Sequence, residues 1–367
     1  MSAPLRSPGL RWLAAGVAVA ILSGACGGDD GTTDTTAEGS ATPTSSFVTV
    51  PAPSLADNML GDPAELEVAI WLPASYTTTS RRYPVVYFLA GFGEGASTGT
   101  IGSVLERLVN QGAVPEMIPV GVDGNNSLRG SFYVDSPVTG NWAQAIHAEL
   151  VGYVDTNYRT LSAAASRGIA GFSMGGFGAW DLAMRHPDVF GAVCALSPGL
   201  LAPGGLETTQ MFDDDEVVAA FLEMQAMDIE PEAMSGSDSL RFSVAYGSAF
   251  APDPHSDFPY VAYPYSEVGT PPDQTIWDRW ESGFGGVAAE VAEFEDNLRS
   301  LRGIALDFGT NDEYEWIPEG TRYLGEQLTE RAIPARVTSY EGGHGPIGPR
   351  AEEVMFPFFA EVLEVEP

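Results

Sequence analysis

The stretch Arg167–Trp180, RGIAGFSMGGFGAW, decides how the rest of this chain is read. Gly168, Ile169 and Ala170 form a short apolar strand, Gly171-Phe172-Ser173-Met174-Gly175 follows, and a helix starts near Gly176. The pattern Gly-x-Ser-x-Gly between a strand and a helix puts the serine on a sharp turn with its hydroxyl pushed out of the sheet. Gly171 and Gly175 flank it because a side chain there collides with the neighbouring backbone. The same turn aims the backbone N–H of Met174, at a helix N-terminus, toward the place where an oxyanion forms.

Five letters are a weak signal in a chain with 42 glycines, and a second match exists at Gly95-Ala96-Ser97-Thr98-Gly99. Context separates the two. Ser97 has no strand in front of it, only the loop marked by Gly91, Gly93 and Gly95. Ser173 has a strand before and an amphipathic helix behind, so Ser173 is the expected nucleophile. The expected fold is therefore α/β, of the α/β-hydrolase type, with a mostly parallel central sheet and helices on both faces.

Fifty acidic against 17 basic residues leave a net charge of −33 over 367 residues. Such a surface excludes nucleic acid and anionic membranes as partners. The run Asp213-Asp214-Asp215-Glu216 reads as a solvated acidic loop rather than a calcium site. Two cysteines, Cys26 and Cys194, provide neither a disulfide framework nor a thiolate metal site. Cys194 lies in the apolar run Gly191–Leu196 and reads as a small buried hydrophobe. No metal and no cofactor is expected.

Residues 1–25 have the form of an export signal: Arg6 and Arg11, the apolar segment Trp12–Leu22, then the small residues Ser23, Gly24 and Ala25. Small residues followed by Cys26 resemble a bacterial lipoprotein signal, with Cys26 lipidated as the first mature residue. Leu22 sits one place further from Cys26 than that pattern wants, and Ser23 holds its position. A membrane partner is thus expected only through this anchor. Residues 26–46, rich in Gly, Thr, Ser and Asp, bury too little to fold and read as a disordered tether. The esterase-like domain is expected over 47–367.

Within it, Phe47–Val50, Glu65–Leu72 and the continuous apolar run Tyr83–Ala90 read as strands. The last of these leads into Gly91-Phe92-Gly93-Glu94-Gly95, where a second oxyanion donor sits at a strand's carboxyl end. A helix over about 101–111 and a strand over 117–122 follow. The loop Asp123–Asn141 is long, polar and aromatic. It makes Arg129, Phe132 and Tyr133, with Trp142 and Gly93, the expected substrate contacts. Residues 197–300 break the strand–helix alternation and are expected to form a cap or a pocket wall. Trp277 and Trp280 read there as core anchors. The alternation returns with the strands Gly303–Phe308 and Ala335–Tyr340.

A serine hydroxyl needs a base, and the base needs an orienting acid. In this fold they follow in the order serine, acid, histidine. Of four histidines, His147 and His186 fall in or at the end of helices, and His255 lies in the insertion. His344 follows the last strand in the Gly-rich loop Glu341–Pro346, where the base belongs. Asp312 follows the preceding strand. Asp307, inside that strand, and Glu313 are its rivals.

Residues from about 60 to 360 resemble the bacterial putative esterases. That family includes esterase D (S-formylglutathione hydrolase), feruloyl-esterase-like enzymes and mycolyltransferases. The stretches that carry the resemblance are YPVVYFLAGFG (83–93), GSFYVDSPVTGNW (130–142), YRT (158–160), GIAGFSMGGFGAW (168–180), HPDVFGAVCALSP (186–198), LDFGTNDEY (306–314) and EGGH (341–344). The resemblance implies the triad Ser173, Asp312 and His344 and the oxyanion pair Phe92 and Met174. It departs at Ala90, where the family often has His or Asp. It implies a serine carboxylesterase acting outside the cell on a small or carbohydrate-linked ester, with acyl transfer to a sugar or lipid alcohol as the alternative. A surface binding module on an inactive scaffold is the third reading, and the intact triad argues against it.

Overall fold

The computed structural model describes residues 44–96, 98–227 and 237–366. The expected signal segment, Cys26, the tether up to residue 43 and the rival Ser97 lie outside the described residues. Eight strands form one sheet: β1 (Thr44–Pro51), β2 (Glu65–Leu72), β3 (Val85–Leu89), β4 (Ile118–Val122), β5 (Arg167–Phe172), β6 (Ala192–Leu196), β7 (Gly303–Gly309) and β8 (Arg336–Tyr340). Their order across the sheet is β1-β2-β4-β3-β5-β6-β7-β8. β1 pairs with β2 and β2 with β4 antiparallel, and every pairing from β4 to β8 is parallel. This is the α/β-hydrolase sheet that the sequence leads one to expect.

The strands at the centre are buried on both faces. Along β3, Val85, Tyr87 and Leu89 pack into one apolar layer, while Val86 and Phe88 pack into the other. That period of two explains an uninterrupted apolar run. The helix Thr98–Asn110 and the closing helix Phe356–Val362 supply the second layer. The elbow helix Met174–Arg185 and the helical run that begins at Trp142 supply the first. That run contains a π-helical turn over Ala145–Leu150, which the sequence pattern does not announce. β1 begins at Thr44, ahead of Phe47, because Thr44 and Ser45 pair with Leu72 and Trp71 through backbone alone. Backbone pairing needs no apolar side chain, so composition misplaces that edge.

The segment between β6 and β7 is helical where it is described: Asp215–Met227, Asp238–Phe250, Gln274–Phe284, Val287–Glu293 and Glu295–Ser300. Trp277 and Trp280 are buried within it. The Trp280 indole N–H donates to the Ala262 carbonyl at 2.8 Å, which lets so large a side chain be buried with its polar edge satisfied. The second and third of these helices bring Phe242 and Phe284 beside Ser173. Among the described residues no helix is long and apolar enough to cross a membrane.

Candidate active site

β5 ends at Phe172, and Ser173 takes φ 55° and ψ −118°, a backbone conformation that L-residues rarely adopt. The turn is locked from both sides. Ser173 N–H donates to the Leu196 carbonyl of β6 at 3.0 Å, and the Ser173 carbonyl accepts from Phe177 and Gly199 at 3.0 and 3.1 Å. A Cβ on Gly171 would stand 2.0 Å from the Gly175 carbonyl oxygen, and one on Gly175 would stand 2.0 Å from that of Leu89. No rearrangement of a flexible side chain relieves a clash with backbone, so both positions require glycine.

The loops after β7 and β8 bring Asp312 and His344 together. Asp312 Oδ2 and His344 Nδ1 are 2.8 Å apart, and Asp312 Oδ1 accepts the Tyr314 N–H at 2.9 Å. The Asp312 side chain is 0% exposed and that of His344 14%. The carboxylate fixes the imidazole tautomer with the proton on Nδ1 and leaves Nε2 free to accept one. Phe172 packs against the ring at 4.6 Å, and Tyr314 meets it edge-on at 5.1 Å.

The rival acids have other work. Glu313 accepts the backbone N–H of His344 at 3.0 Å. Its own N–H, and then that of His344, hold its carboxyl below the usual range. Asp307 is fully buried and takes Arg350 in a two-pronged pair at 2.6 and 2.8 Å, with the Thr338 hydroxyl at 2.6 Å. His147 and His186 stack on each other at 3.8 Å, with burial lowering both ring pKa values, and His255 is exposed.

Ser173, Met174, His344 and Phe92 line one cavity of about 140 Å³. Among the described residues, the N–H groups of Phe92 and Met174 have no acceptor. They are two open donors at the mouth of a strand and the start of a helix, beside the serine. Gly130 is squeezed between the two residues: a Cβ there would meet the Phe92 ring at 2.5 Å and the Met174 sulfur at 2.9 Å.

Three of the five expected substrate contacts are corrected by the structure. Phe132, Tyr133 and Trp142 are 0%, 0% and 4% exposed and do not line the cavity. Phe132 packs edge-on against Phe242 and Phe284 at 5.4 and 5.6 Å. The Tyr133 hydroxyl donates to the Ala90 carbonyl at 2.9 Å, and the Trp142 indole to Thr139 at 2.9 Å. Arg129 is half-exposed, ion-paired with Asp238 at 3.1 Å, and its carbonyl accepts the Gly93 N–H at 2.9 Å. Arg129, Phe132 and Tyr133 all have positive φ, at 71°, 55° and 59°. Through Gly130 and the Arg129 carbonyl this loop packs under Phe92, Gly93 and Met174; strain of this kind persists where surrounding packing over-determines it.

The walls that sequence reasoning missed are Gln210, Phe242 and Phe284 from the insertion, and Tyr314 and Trp316 beyond Asp312. For Phe242 and Phe284 the only signal was aromatic composition in a segment expected to be a pocket wall; Gln210, Tyr314 and Trp316 carried none. Among the described residues no group of three or more His, Cys, Asp or Glu side chains is placed to hold a metal ion.

Comparison with known proteins agrees with this architecture. The family model described as "Putative esterase" matches residues 63–346. An esterase of Mycobacterium tuberculosis is 35% identical over 120 residues, which is 32% of this chain and 26% of that protein. An endo-1,4-beta-xylanase/feruloyl esterase of Xylanibacter ruminicola is 28% identical over 144 residues, 36% of this chain and 20% of that one. The matched stretch thus spans about a quarter or less of these relatives. A ferulic acid esterase structure superposes with a TM-score of 0.59 at 20% identity, covering 88% of this chain and 99% of its own. An S-formylglutathione hydrolase from Agrobacterium tumefaciens gives 0.54 at 15% identity, covering 88% and 96%. These structures share the fold, and with the family match over most of its length the chain belongs to the putative esterase family.

Proposed function

We propose that this protein is a serine carboxylesterase, using Ser173 as nucleophile, His344 as base and Asp312 as the orienting acid. The observation that carries the reading is the shared cavity: Ser173 and His344 line it, Asp312 is buried behind the imidazole at 2.8 Å, and Phe92 and Met174, whose N–H groups have no acceptor among the described residues, line it too. His344 Nε2 takes the Ser173 proton as Oγ attacks the ester carbonyl. The carbonyl oxygen gains the charge and is held by the N–H groups of Phe92 and Met174. The C–O bond of the leaving alcohol then breaks, and that alcohol takes the proton from His344 Nε2. Water, deprotonated by the same nitrogen, cleaves the acyl-enzyme.

Ligand sites are usually about 300–1,000 Å³, so a cavity of about 140 Å³ favours a short acyl chain or one flat ring. The aromatic walls Phe92, Phe242 and Trp316 suit either, and the feruloyl ester named for a relative is one such group. The residue pattern of 1–26 supports action outside the cytoplasm on a tether from a lipidated Cys26. Replacing Cys26 with Ser should release the protein from the membrane fraction, and unchanged membrane retention would refute that anchor.

The decisive experiment treats the protein, Ser173→Ala and Ser97→Ala with a fluorophosphonate probe and a series of p-nitrophenyl esters. Labelling and hydrolysis lost only in Ser173→Ala are expected, with rates falling as the acyl chain lengthens. Full activity in Ser173→Ala would overturn the reading.

A further inference from the structure

A carboxylate lies in the catalytic cavity that the proposed mechanism does not use. Glu94 lines it together with Ser173, Met174 and His344. Its backbone is fixed at both ends: the Glu94 N–H donates to the Gly91 carbonyl at 3.1 Å, and its carbonyl accepts from Asn125 Nδ2 at 2.8 Å. Its side chain is fixed by one oxygen, since Oε2 accepts the Gly91 N–H at 3.1 Å. A Cβ built on Gly91 would lie 3.0 Å from that oxygen and 3.3 Å from the Phe172 ring, which itself packs on His344. The carboxylate is thus one packing layer from the catalytic imidazole.

Among the described residues Oε1 has no hydrogen-bond partner, and Glu94 has no salt bridge. The Arg129 guanidinium, which lies against the neighbouring Gly93, is paired with Asp238. No compensating cation comes from the rim either. Gln210, Tyr314 and Trp316 are shared with an adjoining cleft of about 300 Å³, whose charged lining is Asp213, Glu313, Glu315 and Glu319.

We propose that Glu94 determines specificity at this site: it turns away anionic esters and gives its free oxygen to a hydroxyl or ammonium donor on the substrate. The inference rests on the esterase reading above. A half-buried carboxylate acts through a dielectric well below that of water. At an effective value of about 20, two like charges roughly 7 Å apart repel enough to change binding by on the order of ten- to a hundredfold. The oxygen held by Gly91 does not serve the substrate; it keeps the other one aimed.

The test uses three acetate esters of one geometry: phenyl acetate, its 4-carboxylate and its 4-(ammoniomethyl) derivative, whose N–H groups can donate to the free oxygen. The readout is the ratio of kcat/KM between them, in the native protein and in Glu94→Gln. Glutamine keeps an oxygen for the Gly91 N–H and removes only the charge, and a general loss through a disturbed turn cancels in the ratio. The native protein is expected to prefer the neutral over the anionic ester by at least about tenfold, with the cationic ester at least as good as the neutral. Glu94→Gln should shrink the neutral-to-anionic ratio to within about threefold, and high salt should narrow it in the native protein. A native protein indifferent to charge would overturn the proposal without any variant. So would a preference that survives intact in Glu94→Gln, which would assign it to the acidic rim. Failure of the esterase reading looks different: none of the three esters is cleaved, or all are cleaved by Ser173→Ala.

Discussion

Asp312 and His344 meet through a carboxylate oxygen and Nδ1 at 2.8 Å, while the adjacent Glu313 reaches the same histidine only at its backbone N–H, 3.0 Å away. Two neighbouring acids thus hold one residue by different atoms. Only the first reaches the ring, so in the proposed mechanism it alone sets the tautomer and would stabilise the imidazolium formed when Ser173 gives up its proton. Replacing Asp312 with Asn keeps the shape and removes that charge, and kcat on a short p-nitrophenyl ester should fall by about 10³- to 10⁴-fold. Glu313→Gln keeps an acceptor for the His344 N–H, and its kcat should fall by less than about tenfold. The reverse order of effects would make Glu313 the acid.

Ser173 is held at φ 55°, a value that costs a side-chain-bearing residue on the order of 1–3 kcal/mol and costs glycine little. Removing the hydroxyl in two ways separates chemistry from strain. Ser173→Ala and Ser173→Gly should both lose labelling by a fluorophosphonate. Ser173→Gly should melt above Ser173→Ala, with each kcal/mol of difference moving Tm by roughly 1.5 °C in a domain of this size. Equal melting temperatures by calorimetry would mean that the turn carries no such strain.

Asp307 and Arg350 join β7 to the chain that follows β8, with both side chains almost wholly removed from water. Deleting one partner of such a pair costs about 3–5 kcal/mol when the other charge is left alone, and Arg350, which keeps Glu353 at 2.6 Å, puts Asp307→Ala at the low end of that range. Asp307→Ala should lose about that much in denaturant unfolding, yet keep the native kcat on the molecules that remain folded. Arg350→Met combined with Asp307→Leu should recover most of the loss. A selective collapse of kcat in a stable Asp307→Ala protein would return this residue to the catalytic assignment.

The elbow and the positions of the strands were legible because each depends on local chain chemistry, and Asp312 and His344 because each stands in the loop that follows one of those strands. A glycine that abuts backbone at 2.0 Å leaves a mark in the sequence, and so does a buried strand read as five apolar residues in a row. The substrate wall was not legible. Phe132 and Phe242 are both aromatic residues in irregular or inserted segments, yet one is core and the other lines the cavity. What separates them is which face the insertion helix Asp238–Phe250 turns toward Ser173, a tertiary fact with no periodic signature. Tyr133 illustrates the same limit. A polar, aromatic residue in a loop at a strand end looks like a ligand contact, but its hydroxyl is spent on the Ala90 carbonyl.

Arg185 lies between two carboxylates, 2.6 Å from Asp181 and 2.7 Å from Glu290, so one cation serves two acids. Burial, and then the charge of Asp181, push Glu290 up to about 7, and burial raises Asp181 as well. Folded Glu290 therefore keeps a proton that the unfolded chain has released. Between the unfolded carboxyl range, about 4.5, and about 7, the native state binds more protons than the unfolded state, so rising pH costs stability. Above about 7 the penalty is complete, on the order of 2 kcal/mol after allowance for the partly open site. Glu290→Gln removes the titration and leaves an uncharged side chain beside Arg185. Urea midpoints measured from about pH 5 to about pH 8 should show the native protein losing ground to Glu290→Gln as pH rises. A gap that stays flat, or that closes toward high pH, would mean that Arg185 keeps both acids ionised and that the ion pair, not burial, governs this cluster.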